Sequence, residues 1–149
     1  MTSGDLRVEG DPRREDIALL DARLYEFNAA ASGVDDGRSM AIFVRDGRGE
    51  VVAGLHGWTW GGTAFVRALW VREDLRGRGL GARILAAAEA EAVARGCHQM
   101  HLDSHSYQAP GFYRRLGYEV IGELPGWPGP DTRTFLRKRL AAHEARRPS

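Results

Sequence analysis

The stretch LRGRGLGARIL, residues 75–85, places three glycines and three arginines directly before a helical pattern. Glycine has no Cβ atom, so a turn of this composition lets backbone N–H groups come close to a ligand. The N-terminus of the following helix adds the positive end of its dipole at the same place. The stretch therefore predicts a positively charged turn that binds linked phosphates at the start of a helix.

Two other glycine-rich patterns that bind phosphates, the P-loop and the dinucleotide fingerprint, are alternatives for this turn. A P-loop is excluded, because no Gly-Lys-Ser/Thr follows the glycines. The dinucleotide fingerprint G-x-G-x-x-A is met by Gly77, Gly79 and Ala82, with Asp103 about 20 residues further on. That fingerprint begins directly after its strand, however, whereas residues 72–76 intervene here. A dinucleotide-binding enzyme thus remains an alternative, as does a plain connector whose arginines are only solvated.

The patterns on both sides of the turn predict alternating helices and strands. Asp46-Gly47 marks a hairpin between two β-rich runs within 39–60, and residues 63–71 indicate a third antiparallel strand. After the turn we expect a helix from Leu80 to Gly96, a strand over 98–105, a short helix over 109–116 and strands over 118–124 and 132–140. Before the hairpin, a strand over 6–9 precedes a helix from Pro12, whose predicted buried stripe comprises Ile17, Leu20, Leu24 and Phe27.

This order predicts an α+β fold. A mixed, mostly antiparallel sheet of about six or seven strands flanked by helices is the economical arrangement of these elements. With 149 residues, the chain is close to the usual size of one domain. We therefore expect a single domain over 1–149, with a core over 6–140 and a frayed tail over 141–149.

Composition narrows the range of partners and compartments. The formal net charge is +1, so no nucleic-acid or membrane partner is expected. The one cysteine, Cys97, cannot form an internal disulfide, and we predict it to be a small apolar core residue in a reducing compartment. The chain has no apolar run of the length of a signal peptide or membrane span. We expect a cytoplasmic protein.

Two separated motifs resemble one family. Arg76, Gly79 and Gly81 match the Arg/Gln-x-x-Gly-x-Gly/Ala signature of the acyl-CoA-binding motif in the GNAT superfamily of N-acetyltransferases. Downstream, APGFYRRLGYEV (residues 109–120) resembles the family's A-x-x-F-Y-x-x-x-G-F/Y segment. The order of elements over 6–140 is also similar. The resemblance implies the α/β/α layered acyl-CoA N-acyltransferase fold.

The resemblance also implies an activity. An enzyme of this family transfers an acetyl group from acetyl-CoA to a primary amine, and the neutral chain favours a small-molecule amine over a peptide amine. The strand end would line the pantetheine arm, and the turn would hold the pyrophosphate. These implied cofactor-binding residues are Leu69, Trp70, Val71, Arg76, Gly77, Arg78, Gly79, Leu80, Gly81 and Ala82. A non-catalytic acyl-CoA-binding module with the same fold is the alternative.

Tyr113 matches the family tyrosine that protonates the departing sulfur of CoA. A phenol with a pKa near 10 suits a thiolate of similar basicity, although packing beside Phe112 would also explain an aromatic residue here. Ser106 stands where many relatives have an asparagine that binds the pantetheine. We expect Ser106 or the neighbouring Gln108 to take that role.

The remaining predicted site residues would bind the amine substrate or remove its proton. The strand 63–71 lacks the glutamate that often serves as general base in the family. Asp103 and His105 are therefore the candidate bases, with His56 as a further candidate. An aromatic wall that suits amines is predicted from Trp58 and Trp60, roofed by Trp127; together with His56 these are the predicted substrate-binding residues.

One strand carries three residues of types that can bind a metal. His101, Asp103 and His105 alternate along one strand and so share a face, as in a metal half-site. Acetyl transfer from CoA needs no metal, however, and we expect none. A homodimer is expected from the resemblance alone.

Overall fold

The computed structural model describes residues 4–108 and 110–140. The chain divides into two compact units, Met1–Asp35 and Asp36–Ser149. The single-domain organisation stays a prediction. The predicted tail over 141–149 lies outside the described residues, as does Ala109 at the start of the predicted short helix. No helix in the described part is both long and apolar enough to cross a membrane.

The first unit contains one helix, α1 (Arg14–Ser32). It begins two residues later than predicted, because Arg13 is extended and its carbonyl accepts the first hydrogen bonds, from the amides of Asp16 and Ile17. Gly33 ends the helix with a left-handed φ of 76°.

Two predictions for this unit are wrong. The segment 6–9 is irregular, because no described strand pairs with it and an unpaired short strand is not stable. No residue of α1 is buried, and the predicted stripe is exposed, with Phe27 70% accessible. The described residues of this unit contain no second element against which the helix packs.

The second unit is built on a six-stranded sheet in the order β1-β2-β3-β4-β6-β5. The strands are β1 (Arg38–Arg45), β2 (Val51–Trp60), β3 (Thr63–Val71), β4 (Gln99–His105), β5 (Glu119–Pro125) and β6 (Thr132–Arg139). The helices are α2 (Leu80–Ala94) and α3 (Pro110–Arg115). Only β3 and β4 pair in parallel. The mixed, mostly antiparallel sheet is therefore confirmed, and a doubly wound dinucleotide fold is excluded.

One face of the sheet forms the core with α2. Leu85 of α2 is fully buried together with sheet residues such as Met100 and Leu136. Cys97 is 2% exposed, and burial raises the pKa of its thiol, so the predicted apolar core role is confirmed. Buried and half-buried residues alternate along β4. We call the opposite face, which carries His101, Asp103, His105, Arg133 and Phe135, the distal face.

The parallel strands β3 and β4 separate part of the way along their length. They pair only over Thr63–Phe65 and Gln99–His101, and beyond these residues neither strand pairs with the other. On its other side β3 contains a bulge, because His56 pairs with Ala68 while Gly57 pairs with Val66, leaving Arg67 unmatched. Bulges of this kind redirect side chains next to functional sites. Beyond Phe65 and His101, the edges of β3 and β4 that face each other are not paired with one another.

A hydrogen-bonded cluster connects α2 to the strands beside α3. Glu89 of α2 accepts hydrogen bonds of 2.8 Å from the hydroxyl of Tyr118 and from Nζ of Lys138. Burial and the charge of Glu89 raise the pKa of Tyr118, which stays protonated. The cluster holds the connection from α3 to β5 against α2.

We expect Glu89→Ala to lower the free energy of unfolding by about 2 kcal/mol, because Lys138 and Tyr118 lose their shared acceptor in a largely buried place. Urea denaturation measures the loss. Glu26→Ala is the matched control, since Glu26 pairs with Arg23 on the exposed surface of α1. Equal losses in the two variants would show that the cluster does not stabilise the fold.

Candidate active site

The glycine turn before α2 presents unpaired backbone N–H groups. Gly77 and Gly79 have left-handed φ angles of 75° and 79°, which only glycine adopts easily. None of the six amides from Gly77 to Ala82 donates a hydrogen bond to the described part of the chain. The first bond of the helix runs from the amide of Arg83 to the carbonyl of Gly79. The turn and the helix N-terminus together form a cradle for an anion.

The two arginines of the turn behave differently. Nε of Arg76 donates a 2.8 Å hydrogen bond to the carbonyl of Val71, which ties the turn to the end of β3. The side chain of Arg78 is exposed. Arg76 therefore shapes the turn, whereas Arg78 adds positive charge at its surface.

The turn, the end of β3 and α3 meet in one place. A Cβ atom built on Gly81 would lie 3.6 Å from Cζ of Phe112 and 3.8 Å from Cγ2 of Val71. The rings of Phe112 and Tyr113 are edge to face, with centroids 5.0 Å apart. The fold thus places α3, which carries the predicted acid, beside the anion cradle.

Tyr113 of α3 is half-buried. Burial, and secondarily the charge of Asp103, raise the pKa of the phenol above its ordinary value near 10. Within the described residues the hydroxyl has no hydrogen-bond partner, and it is not among the enclosed polar atoms. The ring also packs edge to face against Tyr118 at 5.9 Å. Packing and proton donation are therefore compatible.

Asp103, a candidate base, forms an ion pair that the sequence did not reveal. Nε of Arg133 donates to its Oδ2 at 2.8 Å, and the ion pair is only partly exposed. The guanidinium lies over the ring of Trp127 at 4.8 Å and over that of Phe135 at 5.0 Å. Alternation in β6 already puts Arg133 and Phe135 on one face. The pairing with β4 that brings Arg133 to Asp103 is not readable from the local pattern.

His105, the second candidate base, lies among aromatic rings. It stacks on Tyr107 with centroids 5.3 Å apart and meets Trp127 edge to face at 5.2 Å. Its Nδ1 is enclosed without a partner in the described part of the chain. The other ring nitrogen, Nε2, is not among the enclosed atoms without a partner. The predicted role of Trp127 as a roof over the substrate site stays a prediction.

The two polar residues after β4 already have partners in the protein. The hydroxyl of Ser106 donates to Asp131 at 2.8 Å and accepts from the amide of Thr132. Oε1 of Gln108 accepts from the amide of His105 at 2.6 Å. Both side chains brace the chain where it leaves β4. Their predicted contacts with the pantetheine stay predictions.

The residues of the predicted aromatic wall occupy alternate positions along β2. His56 and Trp58 are exposed on β2. Trp60 instead lines a cavity of about 420 Å³, together with Arg95 near the C-terminal end of α2. The 15 residues of α2 span roughly 22 Å between that cavity and the glycine turn. Trp60 therefore lies far from the cradle, and its role in substrate binding stays a prediction.

His101 occupies the point at which β3 and β4 separate. Its ring stacks on Phe65, with centroids 4.9 Å apart, and burial lowers the pKa of its imidazole. Along β4 it shares the distal face with Asp103 and His105. Within residues 4–108 and 110–140, no group of three or more His, Cys, Asp or Glu side chains is arranged to hold a metal ion.

An anion cradle at the start of α2, the diverging strands β3 and β4 and the phenol of Tyr113 on α3 fit an enzyme of acyl transfer. Residues 7–118 match the model of the Acetyltransferase (GNAT) family. The chain belongs to this family and is an acyltransferase.

Individual relatives of this chain are also acetyltransferases. An acetyltransferase of Agrobacterium fabrum is 36% identical over 117 residues, which cover 78% of this chain and 85% of that protein. The blasticidin-S acetyltransferase of Streptomyces morookaense is 41% identical over 97 residues, or 62% of this chain and 69% of that protein. A crystal structure from Agrobacterium tumefaciens, assigned as an acetyltransferase, superposes with a TM-score of 0.82 at 32% identity, covering 91% and 99% of the two chains. The fold expected from the resemblance is confirmed.

Proposed function

We propose that this enzyme transfers the acetyl group of acetyl-CoA to a primary amine of a small molecule by direct attack. The observation that carries the proposal is the set of amides from Gly77 to Ala82, which have no partner within the described residues, next to the helix α3 that carries Tyr113. Pyrophosphate bound at the cradle leaves the pantetheine to run along the unpaired edge of β3, past residues 69–71. The name of the Streptomyces relative supports a small-molecule acceptor.

The proposed reaction needs three functions from the protein. The neutral amine attacks the thioester carbonyl, a C–N bond forms and the C–S bond breaks. A backbone amide near Leu69 or Trp70 stabilises the oxyanion, and the hydroxyl of Tyr113 gives its proton to the departing sulfur. Asp103 or Nε2 of His105 takes the proton that the amine loses. The products are the acetylated amine and free CoA.

Thiol release tests this proposal. Purified enzyme is incubated with acetyl-CoA and a panel of amines, and free CoA thiol is measured against a reaction without amine. We expect amine-dependent release, with an acetylated product of the corresponding mass. An absence of release with every amine would contradict the proposal. We also propose that the enzyme is cytoplasmic and that it forms a homodimer, as the family resemblance suggests.

We expect Arg78→Glu to raise the Kd for acetyl-CoA by about tenfold, because a repelling carboxylate replaces a cation beside the bound phosphates. Isothermal titration calorimetry measures the change, and added salt should reduce the difference between variant and wild type. Arg48→Glu makes the same charge change in the β1–β2 turn. Equal weakening by both substitutions would mean that Arg78 acts only through net charge.

A further inference from the structure

The ion pair of Asp103 and Arg133 on the distal face leaves part of each side chain unused. The pair is made by Nε of Arg133 and Oδ2 of Asp103. Within the described residues, the terminal nitrogens of Arg133 donate no hydrogen bond and Oδ1 of Asp103 accepts none. These atoms are not enclosed, since His105 Nδ1 is the buried unpartnered side-chain atom found in this part of the chain. The pair therefore presents both a carboxylate oxygen and two guanidinium nitrogens to a ligand.

Arg133 is held in a fixed orientation. Its guanidinium lies between the rings of Trp127 and Phe135, while Asp103 holds Nε. The hydrogen bond to Asp103 raises the pKa of Arg133, so its charge is permanent. A guanidinium fixed in this way binds a carboxylate through parallel N–H groups with little further loss of side-chain freedom.

The pair also lies within electrostatic reach of the proposed acid. The negative charge of Asp103 is one of the causes that raise the pKa of Tyr113. A molecule whose anionic group binds Arg133 therefore has the Asp103 carboxylate beside it, and the charge of Asp103 also acts on Tyr113. Because the ion pair has no net charge, a simple anion gains little there, whereas a zwitterion finds a partner for each of its charges.

We propose that the Asp103–Arg133 pair binds the acceptor through a carboxylate, and that the acceptor class is amino acids. The carboxylate binds the terminal nitrogens of Arg133, and the ammonium group of the incoming substrate faces Oδ1 of Asp103. The exposed rings of Tyr107 and Trp127, arranged around His105, provide a wall for the amino-acid side chain. This inference rests on the proposed function and names the substrate class of the same site.

Equilibrium binding of matched acids and amides tests the inference without turnover. L-leucine and L-phenylalanine are compared with L-leucinamide and L-phenylalaninamide in the presence of CoA, which donates no acetyl group. We expect the wild type to bind each acid about tenfold more tightly than its amide or better. Arg133→Gln should reduce that ratio to about one, while the Kd for CoA stays the same.

Arg137→Gln is the matched control. Arg137 lies on the same face of β6 and pairs with Glu119 at 2.6 Å, so the variant removes an equivalent ion pair elsewhere. It should keep the preference for acids. Because Arg133→Gln leaves Asp103 without its partner, the double variant Asp103→Asn/Arg133→Gln is measured as well and should also lose the preference.

Three results would overturn the inference: equal binding of acids and amides by the wild type, an equal effect of the Arg133 and Arg137 substitutions, or no binding of either ligand. These outcomes are distinct from failure of the proposed function. That proposal fails when no amine in the wider panel releases thiol, whereas the amino-acid inference is decided by the ratio of acid to amide binding. An enzyme that acetylates amines with a ratio of one would retain the function and refute the substrate class.

Discussion

Replacing Tyr113 with Phe is expected to lower kcat for amine acetylation by about 100-fold or more, while the Kd for acetyl-CoA changes little. The substitution keeps the ring that packs against Phe112 and Tyr118 but removes the hydroxyl, which has no partner within the described residues. Without a proton donor, the sulfur must leave as an unstabilised thiolate. Steady-state thiol release gives kcat, and calorimetry gives the Kd.

Tyr118→Phe is the matched control for this substitution. The Tyr118 hydroxyl is bonded to Glu89, so its loss should lower stability and leave kcat nearly unchanged. A Tyr113→Phe variant with wild-type kcat would contradict the assignment of the acid.

The pH profile gives a second test of Tyr113. An acid must be protonated to act, so the rate falls as pH rises through its pKa. Since burial and the charge of Asp103 raise that pKa, the fall in the wild type is expected above pH of about 10. This alkaline limb should be absent from the residual activity of Tyr113→Phe. The same limb in both enzymes would assign it to another group.

Replacing Gly79 with Val is expected to raise the Kd for acetyl-CoA by more than about tenfold. The φ of 79° at Gly79 is strained for a β-branched residue, so the turn must rearrange and the arrangement of the six amides in the cradle changes. Apart from its two neighbours in the chain, no described residue has an atom within 4 Å of a Cβ built at this position, so the effect comes from the backbone rather than from a clash.

Gly49→Val separates this effect from a general loss of stability. Gly49 has a φ of 80° in the β1–β2 turn, and space around it is equally open. The two variants should lose similar amounts of stability in urea, but only Gly79→Val should lose affinity for acetyl-CoA. Equal affinities would mean that the turn does not bind the pyrophosphate.

The sequence predicted the parts of the fold that local chemistry determines. The hairpin at Asp46 forms because the carboxylate of Asp46 accepts hydrogen bonds from the backbone amides of Arg48 and Glu50 across the turn. The helix α2 follows the turn because its apolar residues recur on one face, with Ile84 and Ala88 fully in the core. Both features depend on residues close together in the chain.

Predictions that depended on distant partners were less successful. Alternation at Leu6 and Val8 indicated a strand, but a strand also needs a neighbour to accept its hydrogen bonds. The stripe on α1 indicated burial, but periodicity cannot supply the surface that would cover it. At the candidate site, Arg133 was missed for the same reason: its pairing with Asp103 joins residues 30 positions apart through the register of two strands.

The measurement that tests the cradle most directly is a titration of ¹⁵N-labelled protein with acetyl-CoA, followed through backbone amide resonances. If the cradle binds the pyrophosphate, the largest shifts occur at Gly77 to Ala82, and CoA without its acetyl group produces the same shifts there. Amides from Gly77 to Ala82 that remain unchanged at saturating acetyl-CoA, while other residues shift, would contradict the account.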